Sequence, residues 1–303
     1  MKAGCHERDS RAGGHAVPNY SNRLFFLIAL SALLLASLAC GDSSSISPPP
    51  SNELVVNSAE DVAQPAAGTV TLRSALDQAT TGQSINFDST LNGATIELSI
   101  IGEEHTALLA ETYSGMTFQG YAERDYGKSA LFARKNVILD ASSLPDGITI
   151  KWTGGDATPA RVLAVYGNLT LRNVSITGGY SQADAISGST TQPYTLARGG
   201  GLAVWGTLTL DHSSVYGNKI VGDNEASRDR GAYGGGIYAN GLQLTNSIVS
   251  GNTALGYGAA GGGIYSVGGA DNTGGHGNDT SLSQCVISGN RVTAQHVPDR
   301  SPL

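Results

Sequence analysis

The clearest pattern in this chain is an alternation of apolar residues with small or polar ones in its second half. Leu163, Val165, Leu169 and Leu171 follow a period of two, which indicates β-strands rather than an amphipathic helix. The alternation returns at intervals further along the chain, with Gly or Asn where each apolar run ends. The pattern therefore predicts short strands joined by tight corners.

Four of these segments are repeats of one another, because they align without a gap over their second halves. In each, the step from the second apolar anchor to a glycine is seven residues, so the register is fixed although the connections vary in length. The segments are LTLRNVSITGG from Leu169, LTLDHSSVYGN from Leu208, LQLTNSIVSGN from Leu242 and TSLSQCVISGN from Thr280. A single repeat cannot bury its own apolar side, so we expect an all-β solenoid with one coil per repeat.

Stacking also predicts which side chains meet in the interior and at the corners. Three inward columns are expected: Leu163, Leu202, Ile237 and Ile264; Leu171, Leu210, Leu244 and Leu282; and Val174, Ser213, Ser247 and Cys285. Two corner columns are expected to form side-chain ladders along the stack: Asn173, His212, Asn246 and Gln284; and Asn218, Asn252 and Asn290. We therefore interpret His212 as a ladder member rather than a catalytic residue.

The two ends of the solenoid are predicted to differ. Leu72, Ala75, Leu76 and Ala79 have helical spacing, which predicts a short capping helix at the N-terminal end. Less regular early coils are expected at residues 83–88, 94–100, 115–121, 136–142 and 147–152.

No amphipathic element follows the last repeat, although solenoids normally carry a cap there. Either the chain is shortened at its C-terminus or another subunit covers the last coil.

Composition and charge narrow the class of protein. Of the 303 residues 41 are Gly, without the three-residue period of collagen, and 40% are hydrophobic, which is enough for a core. The net charge of −7 has the wrong sign for neutralising phosphates, so no nucleic-acid partner is expected.

The N-terminus carries an export signal. Residues 24–39 are an uncharged run of 16 residues, too short for a membrane span of about 20, and Ser37-Leu38-Ala39 stands directly before Cys40. This arrangement resembles a bacterial lipoprotein signal, which implies lipidation of Cys40; ordinary secretion is the alternative. The expected organisation is a signal peptide over 1–39, a flexible Ser/Pro linker over 40–53 and a β-helix domain over 54–303.

The repeats resemble those of a known family. GGGIYANGLQLTNSIVSGNTALGYGAAGGGIYS, at 234–266, is similar to repeats of bacterial right-handed parallel β-helix proteins, the pectin-lyase-like superfamily, and among them to surface proteins of the polymorphic outer-membrane type. LVVNSAEDVAQPAAGTVTLRSALDQA, at 54–79, resembles the start of CSLREA-domain proteins, with Thr71 in place of their Cys. The resemblance implies a right-handed parallel β-helix exported to the bacterial cell envelope, as an outer-membrane or cell-surface lipoprotein.

Candidate catalytic residues are few. Long connections at 178–199, 217–233 and 252–261 leave the same corner of successive coils, and the middle one carries Asp223, Glu225 and Asp229. Paired carboxylates could act on a glycan, and a lyase would need a base with Ca²⁺ or Arg. We interpret this loop as a solvated one of mixed charge, because no carboxylate column aligns on adjacent strands. No metal-binding motif is found, so no cofactor is expected. Ca²⁺ is expected only if the protein is a lyase.

Four aromatic residues are candidate binding residues: Tyr166 and Trp205 are equivalent on neighbouring coils, and Tyr238 and Tyr265 on the next two. All four fall on the outward phase of their strands, where exposed rings could stack on sugar faces. The alternative is a surface stack that shields the backbone.

Three functions are compatible with the sequence. The first is a lipid-anchored surface protein acting in adhesion or glycan binding without catalysis, with an extracellular polysaccharide or protein as partner and the membrane reached through the anchor. The second is a polysaccharide lyase or glycoside hydrolase. The third is a structural role in which the open last coil pairs edge to edge.

Overall fold

Parallel strands stacked in register make up most of the computed structural model, which describes residues 53–103, 127–182, 197–222, 231–256, 258–268 and 280–294. Together these residues form a parallel β-solenoid of about five turns with a single α-helix. The predicted fold is therefore confirmed. The predicted signal peptide, Cys40 and most of the predicted linker lie outside the described residues.

Within these residues, 22 strands, numbered along the chain, form four sheets that run along the stack. Sheet 1 contains β1 (Leu54–Val56), β2 (Ser84–Phe87), β4 (Ser129–Ala133), β5 (Val137–Asp140), β7 (Arg161–Val165), β8 (Leu169–Arg172), β12 (Leu202–Asp211), β16 (Ile237–Thr245), β19 (Ile264–Ser266) and β20 (Thr280–Ser283). Sheet 2 contains β3 (Thr95–Leu98), β6 (Ile148–Trp152), β9 (Val174–Thr177), β13 (Ser214–Tyr216), β17 (Ile248–Ser250) and β21 (Val286–Ser288). Sheet 3 contains β10 (Tyr180–Gln182), β14 (Lys219–Val221), β18 (Thr253–Leu255) and β22 (Arg291–Thr293), and sheet 4 contains β11 (Ala197–Arg198) and β15 (Ala232–Tyr233).

The strand register confirms the inward columns. Leu202 pairs with Leu163 on one side and with Ile237 on the other, and Leu210 pairs likewise with Leu171 and Leu244. In the third column the backbone N–H of Val174 donates to Ser213 Oγ (3.2 Å) and that of Ser213 to Ser247 Oγ (3.1 Å), while Cys285 packs partly buried against the core. The column of Leu171 continues into the early coils through Leu139 and Ile85.

The predicted helix closes the N-terminal end of the core. It is α1 (Leu72–Gln78), followed by a 3-10 turn at Ser89–Leu91, and it buries Leu72, Ala75 and Leu76. Thr71 caps it by accepting the backbone N–H of Ser74. Arg73 fixes it to the coils, because the guanidinium lies 2.7 Å from Asp61 and donates to the carbonyl of Ala130 (2.8 Å).

One of the two predicted corner ladders is confirmed. Asn252 Oδ1 accepts the backbone N–H (3.0 Å) and Nδ2 (3.0 Å) of Asn218, and Asn290 Oδ1 accepts the same two groups of Asn252 (3.0 and 2.9 Å). The ladder explains the repeated glycines, because a Cβ on Gly201 or Gly236 would lie 2.8 Å from the amide carbon of Asn218 or Asn252. The ladder and the glycines therefore depend on each other.

The other predicted ladder is wrong. Asn173, His212, Asn246 and Gln284 do align, but within the described residues no hydrogen bond joins their side chains to one another. Their shared feature is a left-handed backbone, with φ between 49 and 54°. Asn tolerates this conformation better than most side chains do, so the backbone of a tight corner selects the column rather than a side-chain ladder.

The last described coil leaves its apolar side open. Leu282, Ile287 and Val292 continue inward columns, yet they are 47–48% exposed, and no helix covers them in the part of the chain that the structure describes.

Removing the central ladder amide should destabilise the solenoid far more than removing an amide from the other corner. Asn252→Ala leaves the buried N–H of Asn218 unpaired and removes the amide donor to the carbonyl of Val215, so we expect the free energy of unfolding to fall by about 2–3 kcal/mol. Asn246→Gly, which keeps the left-handed corner, should change it by less than about 0.5 kcal/mol. Urea unfolding followed by circular dichroism measures both, and equal losses would refute the role of the ladder.

Candidate functional site

The four predicted aromatic residues lie in one continuous row on the outside of sheet 1. The rings of Tyr166 and Trp205 stack at 4.5 Å between centroids, and those of Tyr238 and Tyr265 at 5.8 Å. Trp205 and Tyr238 join the pairs at 6.3 Å, and Phe132, which the sequence analysis missed, extends the row to Tyr166 at 5.6 Å. We call these five residues the aromatic row.

The aromatic row is less open than the sequence suggested. Tyr238 is only 3% exposed, so the expectation that all four rings lie exposed is wrong for this residue. Arg198 of sheet 4 covers it, with the guanidinium 4.6 Å from the Tyr238 ring, and Tyr233 of the same sheet packs on the neighbouring ring of Tyr265 at 4.8 Å. Stacking on a sugar needs an accessible ring face, whereas here ring faces contact one another, which favours a packing role.

The predicted connections at 178–199, 217–233 and 252–261 are not loops throughout, because the strands β10, β14 and β18 of sheet 3 lie inside them. These strands stack on one another, so the described parts of the connections do lie on one side of the solenoid. Asp223, Glu225 and Asp229 lie outside the described residues. Their candidacy as catalytic groups therefore stays a prediction.

A charged column that was not predicted from the sequence runs across the outer face of sheet 1. Asp140 pairs in register with Arg172, and Arg172 with Asp211, on the neighbouring strands β5, β8 and β12. Each follows an inward leucine and so points outward. Arg172 Nη1 donates to Asp140 Oδ2 at 2.6 Å. The two carboxylates do not lie on adjacent strands, because a guanidinium separates them; the alternating column of both charges was not expected. The signal was the charged residue that ends VILD, LTLR and LTLD in the aligned strands.

A cleft of about 490 Å³ lies beside the charged column. It arises because seven residues, 141–147, connect β5 to β6, whereas one or two residues turn the same corner in the next coils. The longer loop is held by Asn173 Nδ2, which donates to the carbonyl of Leu144 at 2.6 Å. We call this cavity the corner cleft; its lining is Ser142, Leu144, Pro145, Arg172, Asn173, Asp211 and His212.

The groups at the corner cleft are held in place by short hydrogen bonds. Ser142 Oγ donates to Asp140 Oδ1 at 2.6 Å, and His212 Nδ1 lies 2.7 Å from Asp211 Oδ1. Partial burial opposes ionisation of Asp140, but the bonds from Ser142 and the Arg172 guanidinium outweigh it and hold the pKa of this carboxyl below its ordinary value. Asp140 is therefore an ionised anchor for Arg172.

The corner cleft offers fixed donors and acceptors next to an apolar surface on Leu144 and Pro145. Such a mixture is typical of sites for small polar ligands, where a few placed polar groups orient the ligand. Among the described residues no group of three or more His, Cys, Asp or Glu side chains could hold a metal ion.

No family model matches this chain, and no curated protein and no solved structure matches it either. None of the described helices has the length and apolar character needed to cross a membrane.

Asp140 should make stability depend on pH in the acid range. A carboxyl whose pKa is lowered by folding contributes stability above its ordinary pKa of 3.8, and that stability is lost as the pH falls through the lowered value. Asp140→Asn should therefore lose less stability than the wild type on acidification from neutral pH. Urea unfolding at a series of pH values measures this. Asp156→Asn, which alters an 81% exposed side chain, should follow the wild type; identical curves for Asp140→Asn would contradict the account.

Proposed function

We propose that this protein is a non-catalytic glycan-binding module of the cell surface, and that a polysaccharide lies across the corner cleft and the charged column. The observation that carries the proposal is the placement of Arg172 and Asp211 side by side on rigid neighbouring strands at the edge of the cleft. Sites built on strands hold their polar groups more precisely than sites on loops do.

The chemistry of the outer face suits a polyhydroxylated ligand. Sugar hydroxyls both donate and accept hydrogen bonds, so they need a mixture of fixed donors and acceptors. Beside the charged column runs a second outward column of hydroxyl and amide groups, in which Thr209 pairs in register with Thr170 and Gln243. Neighbouring strands repeat at about 4.8 Å, so polar groups recur regularly along the stack and could follow an extended chain.

The sequence supports the location that this function needs. The segment ending at Cys40 resembles a lipoprotein signal, and the repeats resemble those of surface β-helix proteins of the pectin-lyase-like superfamily. We propose that the lipidated chain is held on the bacterial cell envelope and presents the outer face of sheet 1 for glycan contact or adhesion.

A second candidate function is polysaccharide cleavage by a lyase. The observation in its favour is the His212 imidazole, which is bonded to Asp211 at the edge of the corner cleft that Arg172 also lines. A positioned base and a cation are the groups that β-elimination requires. We rank this function second because two carboxylates flank Arg172 and would repel an acidic polysaccharide.

Arg172→Gln should weaken polysaccharide binding if the corner cleft is the site. The full chain, kept in mild detergent, is run through native gels that contain neutral or acidic polysaccharides, and we expect retardation by at least one of them. Losing the guanidinium removes a charged hydrogen-bond donor, so the affinity for the polysaccharide, measured from the retardation, should fall about tenfold. Trp205→Phe, in the aromatic row, is the matched control and should bind like the wild type.

The outcomes of this experiment separate the functions. If polysaccharide no longer retards Trp205→Phe but still retards Arg172→Gln, the binding site lies on the aromatic row and not at the corner cleft. New reducing ends or ultraviolet-absorbing unsaturated products would favour the lyase. A folded wild-type chain that no polysaccharide retards would refute glycan binding.

A further inference from the structure

The strongest unassigned feature is the hydrogen-bonding capacity that remains in the charged column. A guanidinium has five N–H donors, and among the described residues Arg172 uses one of them, on Asp140. Asp211 bonds His212 through Oδ1, and no described residue donates to its Oδ2. Both side chains are 43% exposed, so these donors and this acceptor are accessible to a ligand.

The two residues are neighbours but do not bond to each other. They pair in register on adjacent parallel strands about 4.8 Å apart, where opposite charges would ordinarily form an ion pair. Instead, Arg172 is turned to Asp140 (2.6 Å), and Asp211 is turned to His212 (2.7 Å). The guanidinium and the carboxylate are thereby held side by side at the edge of the corner cleft.

A donor beside an acceptor matches two hydroxyls on neighbouring carbons of a sugar ring. One hydroxyl oxygen would accept from Arg172, and the other hydroxyl would donate to Asp211 Oδ2. Leu144 and Pro145 line the same cleft and offer apolar surface to the C–H groups of the ring. Hydrogen bonds to charged partners are stronger than those between neutral groups, so the pair can orient a ligand.

The local charge decides between neutral and acidic sugars. Asp140 and Asp211 outnumber Arg172, and the uronate group of an acidic sugar would approach two carboxylates. Like charges placed together disfavour such a complex. A neutral sugar meets no such repulsion.

We propose that the corner cleft is a subsite for an uncharged saccharide unit with two adjacent hydroxyl groups, oriented by Arg172 and Asp211. This inference rests on the proposed function and adds to it the ligand class and the residues that set the preference.

The test measures the affinity of the full chain, in mild detergent, for neutral hexasaccharides of glucose, mannose and galactose and for the matching hexasaccharides of their uronic acids. Isothermal titration calorimetry should show tighter binding of a neutral ligand than of its uronic acid counterpart. Permethylation of that neutral ligand, which removes its hydroxyl donors, should abolish binding.

Asp211→Asn keeps the size of the side chain but removes its charge. We expect it to weaken binding of the neutral hexasaccharide about tenfold. The ratio of the affinity for the neutral ligand to that for the uronic acid ligand should also fall. Thr245→Val, at the paired position on the next strand, is the matched control and should change affinity less than about twofold. Urea unfolding checks that both variants are folded.

Two results would overturn the inference while leaving glycan binding intact: an unchanged neutral affinity in Asp211→Asn, or tighter binding of the uronic acid ligand by the wild type. If the folded wild type binds none of these ligands and no polysaccharide retards it in gels, the proposed function fails as well.

Discussion

Hydrogen bonding along the stack is the constraint on which the rest of this structure depends. In a parallel solenoid the backbone N–H and C=O groups of a strand bond to the coils on either side, so each coil must meet its neighbours in register. Register then repeats every side-chain position about 4.8 Å further along, which gives apolar columns such as Leu171, Leu210 and Leu244. At one corner, Asn252 continues the bonding with a side chain that stays buried only because Gly236 has no Cβ.

The same constraint places the functional groups. Core residues fill the inward positions of each strand, so the polar side chains of a strand lie at the alternate, outward positions. Each outward side chain then has fixed neighbours on both adjacent strands. Asp140, Arg172 and Asp211 form a column because their strands are in register, and no long-range loop folding is needed to assemble them. The corner cleft needs only one irregularity, the longer connection at 141–147.

The sequence predicts the features that follow from the repeats or from the spacing of apolar residues. The inward columns, the Asn218–Asn252–Asn290 ladder and the helix at Leu72–Gln78 are confirmed because they follow from period and spacing. Prediction from the sequence fails in two cases. In one, a strand outside the repeat pattern covers a residue; in the other, a column mixes residue types and was sought as a single type. Tyr238 is covered by Arg198 from sheet 4, whose path no periodicity indicates. The charged column was missed because an arginine separates its carboxylates.

The most direct measurement is a nuclear magnetic resonance titration of arginine side chains with the neutral hexasaccharides. Arg172 reports on the corner cleft, and Arg134, which lies 4.9 Å from the Phe132 ring, reports on the aromatic row. The account predicts that the Arg172 Nε resonance shifts and saturates together with binding, while that of Arg134 stays in place. A shift of Arg134 with an unchanged Arg172 would contradict it and would place the ligand on the aromatic row.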